Sequence, residues 1–308
     1  MAKISAQAFY AEYHGHTVAH LSQLVPSLRQ SGTKSFVYMA GDSTLDNKHW
    51  LFKKGDQVQQ QPSCSKAING YENVLDPPVM MRDVSYWLNE ECLRWSPNSR
   101  VTCINGAVEE SCVSQRENEG LLPQDEFIRD NITEDDVLVV DVGGNDVALR
   151  PTKWIIFHMM WLLYLTPTCF IRCGPYLAPG LWYFIHMFRI RLQRLVKKLV
   201  AKRKPKKIVI CMLYYLDESP GGSWADGTLR ALGYDTNPAK LQAVMRQVYS
   251  WGVSQVSIPG TEVVTVPLYE VLDGKNTEDY VARVEPSDSG GQKLAAAVAK
   301  AIFDSDNE

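Results

Sequence analysis

The 308-residue chain has no histidine after His186 and no pair of cysteines at C-x-x-C spacing. A zinc site needs clustered Cys and His at ligand spacing, so none is expected. The seven cysteines, Cys64, Cys92, Cys103, Cys112, Cys169, Cys173 and Cys211, are odd in number. Several lie in apolar runs such as "VTCING" and "IVICML". They read as free thiols of a reducing compartment, which makes a cytoplasmic protein the expectation. Charge of one sign is also scarce: the net charge is -3, too little to mark a nucleic-acid binder. The first twenty residues carry no apolar signal core, so secretion is not expected. Internal repeats and long low-complexity linkers are absent. Residues 1–308 are therefore read as one domain, with a helical extension over 1–35 and an apolar and basic insertion over 150–204. A chain of this size buries a core without disulfides or structural metal.

Long hydrophobic runs are nearly absent too. The exception is "WIIFHMMWLLYLTPTCF", Trp154 to Phe170, which has about the length of a membrane span. Pro167 and His158 interrupt it.

What is present is an alternation. Apolar, β-rich runs stand at "SFVYMAGDS", "VTCINGA", "DDVLVVDVGGND", "KKIVICMLYYL" and "TEVVTVPLYEVLD". Helical patterns cover 3–30, 77–95, 180–202 and 237–257, and "GGQKLAAAVAKAIF" closes the series. In the last, Leu294, Val298 and Ile302 form a core stripe. The charged tail "DSDNE" is expected to fray. Strands alternating with helices imply a parallel α/β sheet covered on both faces. Such sheets carry their sites in loops at the carboxyl ends of the strands.

Three strand ends finish in small polar residues: Gly41-Asp42-Ser43, Asn105-Gly106-Ala107 and Gly143-Gly144-Asn145-Asp146. Side by side, they offer a serine hydroxyl with amide donors for developing negative charge, the elements of an oxyanion hole. Each residue also has a plainer reading. Ser43 is a good helix cap, Asn145 a turn residue, and Gly106 a tight-turn residue. Asp42 and Asp146 are candidates for touching substrate, or internal acceptors that hold their loops. Tyr71 and Glu72, in the loop "GYENVLDPP", are candidates for walling the pocket.

"GDS" at 41–43, Gly106, "GGND" at 143–146 and the closing "EPSDSGGQKLA" resemble, in order and spacing, the four blocks of the SGNH (GDSL-type) hydrolases. "GDSTLDN" with "VEPSDSGG" is similar to a subgroup that carries glutamate in the fourth block. The resemblance spans residues 36–303 and implies a flavodoxin-like three-layer α/β/α sandwich with about five parallel strands. It implies ester hydrolysis, of a carboxylester or a lipid ester, without metal or organic cofactor. By the same resemblance Ser43 is the nucleophile, and the amides of Ser43 and Gly106 with the Asn145 side chain form the oxyanion hole. The family's Asp-x-x-His is missing, because Ala282 and Glu285 stand in its places.

Histidine suits proton transfer because its pKa is about 6.5, near working pH. Unperturbed glutamate, at about 4.3, is weaker by on the order of 3 kcal/mol of proton affinity. Burial raises a carboxyl and recovers part of that difference. Glu285 is therefore the candidate base, or a carboxylate that only holds the terminal loop. The other candidate bases are His14 and His16 in the N-terminal extension, and His49 six residues beyond Ser43. Asp288 reads as a helix N-terminal acid. The insertion contains a basic amphipathic helix over 180–204, a candidate for peripheral membrane contact or a packed helix with a charged outer face. A small-molecule ester or lipid substrate is the leading expectation. Acyl transfer, and a ligand-binding protein that has lost turnover, are the alternatives.

Overall fold

A computed structural model describes residues 3–98 and 100–304. The tail expected to fray lies outside them beyond Asp304. All five apolar runs are strands of the main sheet: β1 Ser35–Gly41, β2 Val101–Asn105, β3 Val137–Asp141, β4 Lys207–Met212 and β5 Glu262–Pro267. The strands are parallel and lie in the order β2-β1-β3-β4-β5. Parallel strands are buried on both faces, which is why they read as continuous apolar runs.

Side chains alternate between the two faces. Val37, Met39, Val139 and Val209 point into a core with Leu88 of α2 (Val84–Trp95) and Leu294 and Val298 of α7 (Asp288–Phe303). Phe36, Tyr38, Leu138 and Ile208 face the other core. That second core is covered by α1 (Val18–Gln30), α3 (Pro123–Asn131), α5 (Leu192–Leu199) and α6 (Pro238–Trp251). In chain order α4 (Lys153–Met160) falls between α3 and α5. The result is the expected three-layer arrangement, with its topological switch between β1 and β3.

Several local expectations change. Residues 3–30 are not one helix. Ile4–Ser5 pairs with Leu75–Asp76, a short helix runs Ala6–Ala11, and α1 starts after Thr17 caps the His20 amide. Residues 77–95 begin with a strand, Val79–Met81, before Asp83 caps α2. No long helix follows Ser43. The chain turns, with the Leu45 and Asp46 amides on the Asp42 carbonyl, and only Lys48–Leu51 is helical.

The 180–204 helix packs most of its apolar face inside the protein. Leu181–Ile185, His186–Arg191 and Leu192–Leu199 run as one helix, the middle part with wider π-type bonding. Its apolar stripe (Phe184, Phe188, Leu192, Leu195, Val196, Leu199) is buried in the protein, while Trp182 and Ile190 of the same helix are exposed. Most of the exposed large apolar side chains of the insertion cluster between Trp154 and Trp182. Among the described residues no helix is long and apolar enough to cross a membrane. The seven cysteines are unpaired.

Candidate active site

Ser43 and Asn145 come together because β1 and β3 are neighbours in the sheet. The two strands need glycine to end this way. A Cβ on Gly41 would meet the Asp141 carbonyl at 2.4 Å. Gly143 has φ +116° and lies against the Phe188 ring, so a side chain there is excluded by both backbone and space. The third element arrives from the far end of the chain. Glu285 sits in a short hairpin, Glu285–Pro286 against Tyr280–Val281.

Three anchors hold that hairpin at the serine loop. Asn47 donates its Nδ2 to the Pro286 carbonyl (2.9 Å) and accepts the Val84 amide (3.0 Å). Tyr214, just past β4, donates its hydroxyl to the Val284 carbonyl (2.6 Å). Arg283 is buried and donates to Asp226 (2.7 Å) and Asp235 (3.0 Å). The backbone twist at Ala282 and Arg283 (φ +48° and +66°) turns Glu285 inward.

Ser43, Asp42, Asn145 and Glu285 line one cavity of about 140 Å³. Ser43 is 8% exposed and Glu285 5%. Burial pushes the Glu285 carboxyl up to about 8; the neighbouring Ser43 hydroxyl pulls it down, and Asp42 and Asp46 raise it further. Glu285 Oε2 is buried and has no hydrogen-bond partner. The Asn145 side chain donates one proton to the Ser111 carbonyl (3.2 Å), which leaves its second N–H free. Among the described residues the Ser43 amide has no acceptor.

Other candidates take different places. The Gly106 amide donates to the Met39 carbonyl (2.9 Å), so it is spent on the sheet and is not a free oxyanion donor. Tyr71 does not wall the cavity. It is buried beside Phe9 and donates to the Cys103 carbonyl (2.8 Å), because its ring fills the second core. Glu72 accepts the Gly70 amide at the surface. Asp146 is not in the cavity wall either. Its carboxylate accepts the Val113 (2.7 Å) and Ser114 (2.9 Å) amides at the start of a helix. Asp42 does line the cavity. Its Oδ1 accepts the Thr44 amide (3.3 Å) while Oδ2 has no partner. Burial raises it to about 6, against the pull of the Thr44 amide and Arg116. Asp288 bonds Arg82 and Trp87, tying α7 to α2.

No histidine lines the cavity. His16 stacks on Phe9 at 3.7 Å and its buried ring is held neutral by desolvation. His14 bonds the Glu109 carbonyl (3.3 Å), and His49 packs edge-on to Tyr13.

Sequence reasoning missed two buried acids next to this cluster. Glu109, in "GAVEESC", is pushed up to about 9 by burial, then by Glu285 and Asp46. Asp141 ends β3 with both oxygens buried and unpartnered, and burial with the Asp42 charge raises it well above the usual range. An acid closing an otherwise apolar strand was the available signal. A structural strut backs the cluster: Arg116, 1% exposed, binds Asp125 (2.7 Å), Ser111 Oγ (2.9 Å) and the Gly41 carbonyl (3.1 Å). Among the described residues no group of three or more His, Cys, Asp or Glu side chains is arranged to hold a metal ion.

No family model matches the chain, and no curated protein does. Among solved structures it is similar to a carbohydrate esterase family 3 protein from Talaromyces cellulolyticus. That match has 10% identity, covers 88% of this chain and 97% of that one, and has a TM-score of 0.46. An acetylxylan esterase from Geobacillus stearothermophilus matches at 13% identity, 88% and 95% coverage and a TM-score of 0.43. An extracellular lipase from Streptomyces rimosus matches at 11%, 87% and 100% coverage and 0.42.

Proposed function

We propose that this chain is a serine ester hydrolase in which Glu285 replaces histidine as the base. The observation that carries the reading is the meeting of three groups at one cavity mouth: the Ser43 hydroxyl, a spare Asn145 N–H, and a buried carboxyl raised to about 8. Perturbed carboxyls beside a nucleophile in a cleft are candidates for general bases. A pKa near 8 gives glutamate the proton affinity that histidine otherwise supplies.

In this mechanism Ser43 Oγ attacks the ester carbonyl carbon while its proton passes to ionised Glu285. The carbonyl oxygen becomes the oxyanion and receives hydrogen bonds from the Ser43 amide and Asn145 Nδ2. Glu285 turns neutral as the oxyanion forms, so one negative charge migrates and no ion pair is created. A dry site tolerates that better than separating charge. Neutral Glu285 then protonates the departing alkoxide. Water attacks the acyl-serine by the same path, with Glu285 as base again.

The test is labelling of the purified protein with a small fluorophosphonate, mapped by mass spectrometry. The expected result is modification at Ser43, absent in Ser43→Ala and slowed in Glu285→Gln. No labelling of folded protein between about pH 6 and 10, a span that brackets the carboxyl's titration, sinks the reading and favours a ligand-binding protein.

A further inference from the structure

The geometry points to a chemical class for the acyl group, an inference that rests on the hydrolase reading. We propose that the cavity behind Ser43 is an acyl pocket for straight chains of medium length. Of its lining residues, only Thr228 carries a small polar side chain away from the Ser43–Asn145–Glu285 end. The rest of the wall is apolar, with Phe184, Phe188, Leu213, Leu241, Val244 and Val248 as examples, apart from the Trp224 indole N–H and the Tyr214 hydroxyl, which is spent on the Val284 carbonyl. A sugar or an acyl group bearing hydroxyls would leave its polar groups unpaired there, at a cost of about 1–3 kcal/mol each. Acetyl would leave most of the cavity empty. A dry cavity of about 150 Å³ accepts a six-carbon ring, so one of about 140 Å³ has room for roughly six to eight chain carbons.

Each methylene buried raises kcat/KM by about fourfold, equivalent to ~0.8 kcal/mol. Across p-nitrophenyl esters, kcat/KM therefore rises by roughly 10² from acetyl to hexanoyl, then flattens or falls once the cavity is full. Val244→Phe shortens the pocket and lowers octanoyl turnover at least tenfold more than acetyl turnover. A second measurement needs no turnover: calorimetric binding of octanamide and acetamide to Ser43→Ala. Octanamide binding that Val244→Phe or Leu229→Phe weakens sustains the acyl pocket. Acetyl esters hydrolysed fastest, with no octanamide binding, overturns the pocket and leaves the hydrolase standing. Octanamide bound by a protein whose Ser43 resists fluorophosphonate overturns the hydrolase and keeps the pocket. Failure of both labelling and octanamide binding overturns both.

A different observation carries a second inference. Between Val147 and Leu216 the sequence has 13 Lys or Arg and no Asp or Glu, although the chain as a whole is acidic; Lys153 and Arg172 belong to the exposed patch, and the other eleven are Arg150 and residues from Arg189 to Lys207. The same segment exposes its large apolar side chains, with Trp154 65%, Leu165 77% and Tyr176 75% exposed. They are clustered: Trp154 meets Phe157 at 6.2 Å, and Tyr176 meets Trp182 at 5.7 Å. Lys153 and Arg172 are exposed among them. The Tyr164 hydroxyl on the Ala231 carbonyl (2.6 Å) ties this patch to the cavity wall at Leu229 and Leu232. Exposed aromatics with basic neighbours and no acid match an anionic bilayer in both apolar area and charge.

We infer that residues 154–182 dock the protein on anionic membrane surfaces. The test is cosedimentation with phosphatidylcholine vesicles, with and without phosphatidylglycerol. Binding is expected to need phosphatidylglycerol, to weaken as salt shortens the screening length, and to fall at least tenfold in Trp154→Ser/Phe157→Ser. Fluorophosphonate labelling of that variant should not change. No binding to either vesicle overturns the inference. So does concentration-dependent dimerisation that the same variant abolishes, because a second copy then covers the patch.

Discussion

The two ends of the cavity are built on opposite rules. At the strand ends, Asp42, Asp141, Glu109 and Glu285 are crowded, buried and short of partners. Along the helices that close the cavity, Val244, Val248, Phe184 and Phe188 offer nothing polar at all. The first end has its chemistry because of the second. A carboxyl beside open water stays near 4.3, while Glu285 against this apolar wall rises to about 8. The apolar wall that sizes an acyl chain thus also strengthens the base. This is a different use of a carboxylate from Asp146, equally buried but satisfied by two amides, which serves as a clamp.

The sharpest way to break the comparison is to remove the nucleophile. Ser43→Ala should lower ester turnover by at least about 10³-fold, with an unchanged far-ultraviolet spectrum. Glu285→Gln should cost on the order of 10²–10⁴. In the native protein kcat/KM should climb with pH through about 8, the value of the buried carboxyl, and Glu285→Gln should lose that rise. A rate that is flat from pH 6 to 10 would remove Glu285 from the reaction. Asn145→Ala should cost about 10²–10³ in kcat with little change in KM.

Stability sharpens the contrast further. Arg116→Met leaves Asp125 buried and unpaired and should cost about 3–5 kcal/mol in denaturant unfolding. The same carboxyls also make stability depend on pH. Asp42, Glu285 and Glu109 have folded pKa values of about 6, 8 and 9, all above the unfolded values. Between about pH 4.5 and 8 the folded state then holds more protons, so stability falls as pH rises. Melting temperature should be higher at pH 5.5 than at pH 8.5, and Glu285→Gln should flatten the difference.

Most of the frame was legible in the chain. The five strands are apolar runs ended by glycine and polar residues, and the burial of parallel strands on both faces makes them so. The Ser43–Asn145 meeting followed from strand ends alone. The partner of each polar group was not legible. Gly106 and Asn145 look alike as donors in sequence, yet only one keeps a free N–H, because the sheet ladder takes the other. Tyr71 and Tyr214 are equally plain as tyrosines. One fills a core and the other pins the Glu285 hairpin.

Sequence by itself determined the α/β alternation, the serine loop, the missing histidine and the acid-free insertion, since local pattern and composition suffice for these. Tertiary structure alone decided that Glu285 lines the same cavity as Ser43, more than two hundred residues away in the chain. It also decided that the 180–204 helix turns its apolar face inward while 154–182 turns aromatics outward. The physical reason is common to both: desolvation is set by whatever packs against a group, and that neighbour comes from elsewhere in the chain.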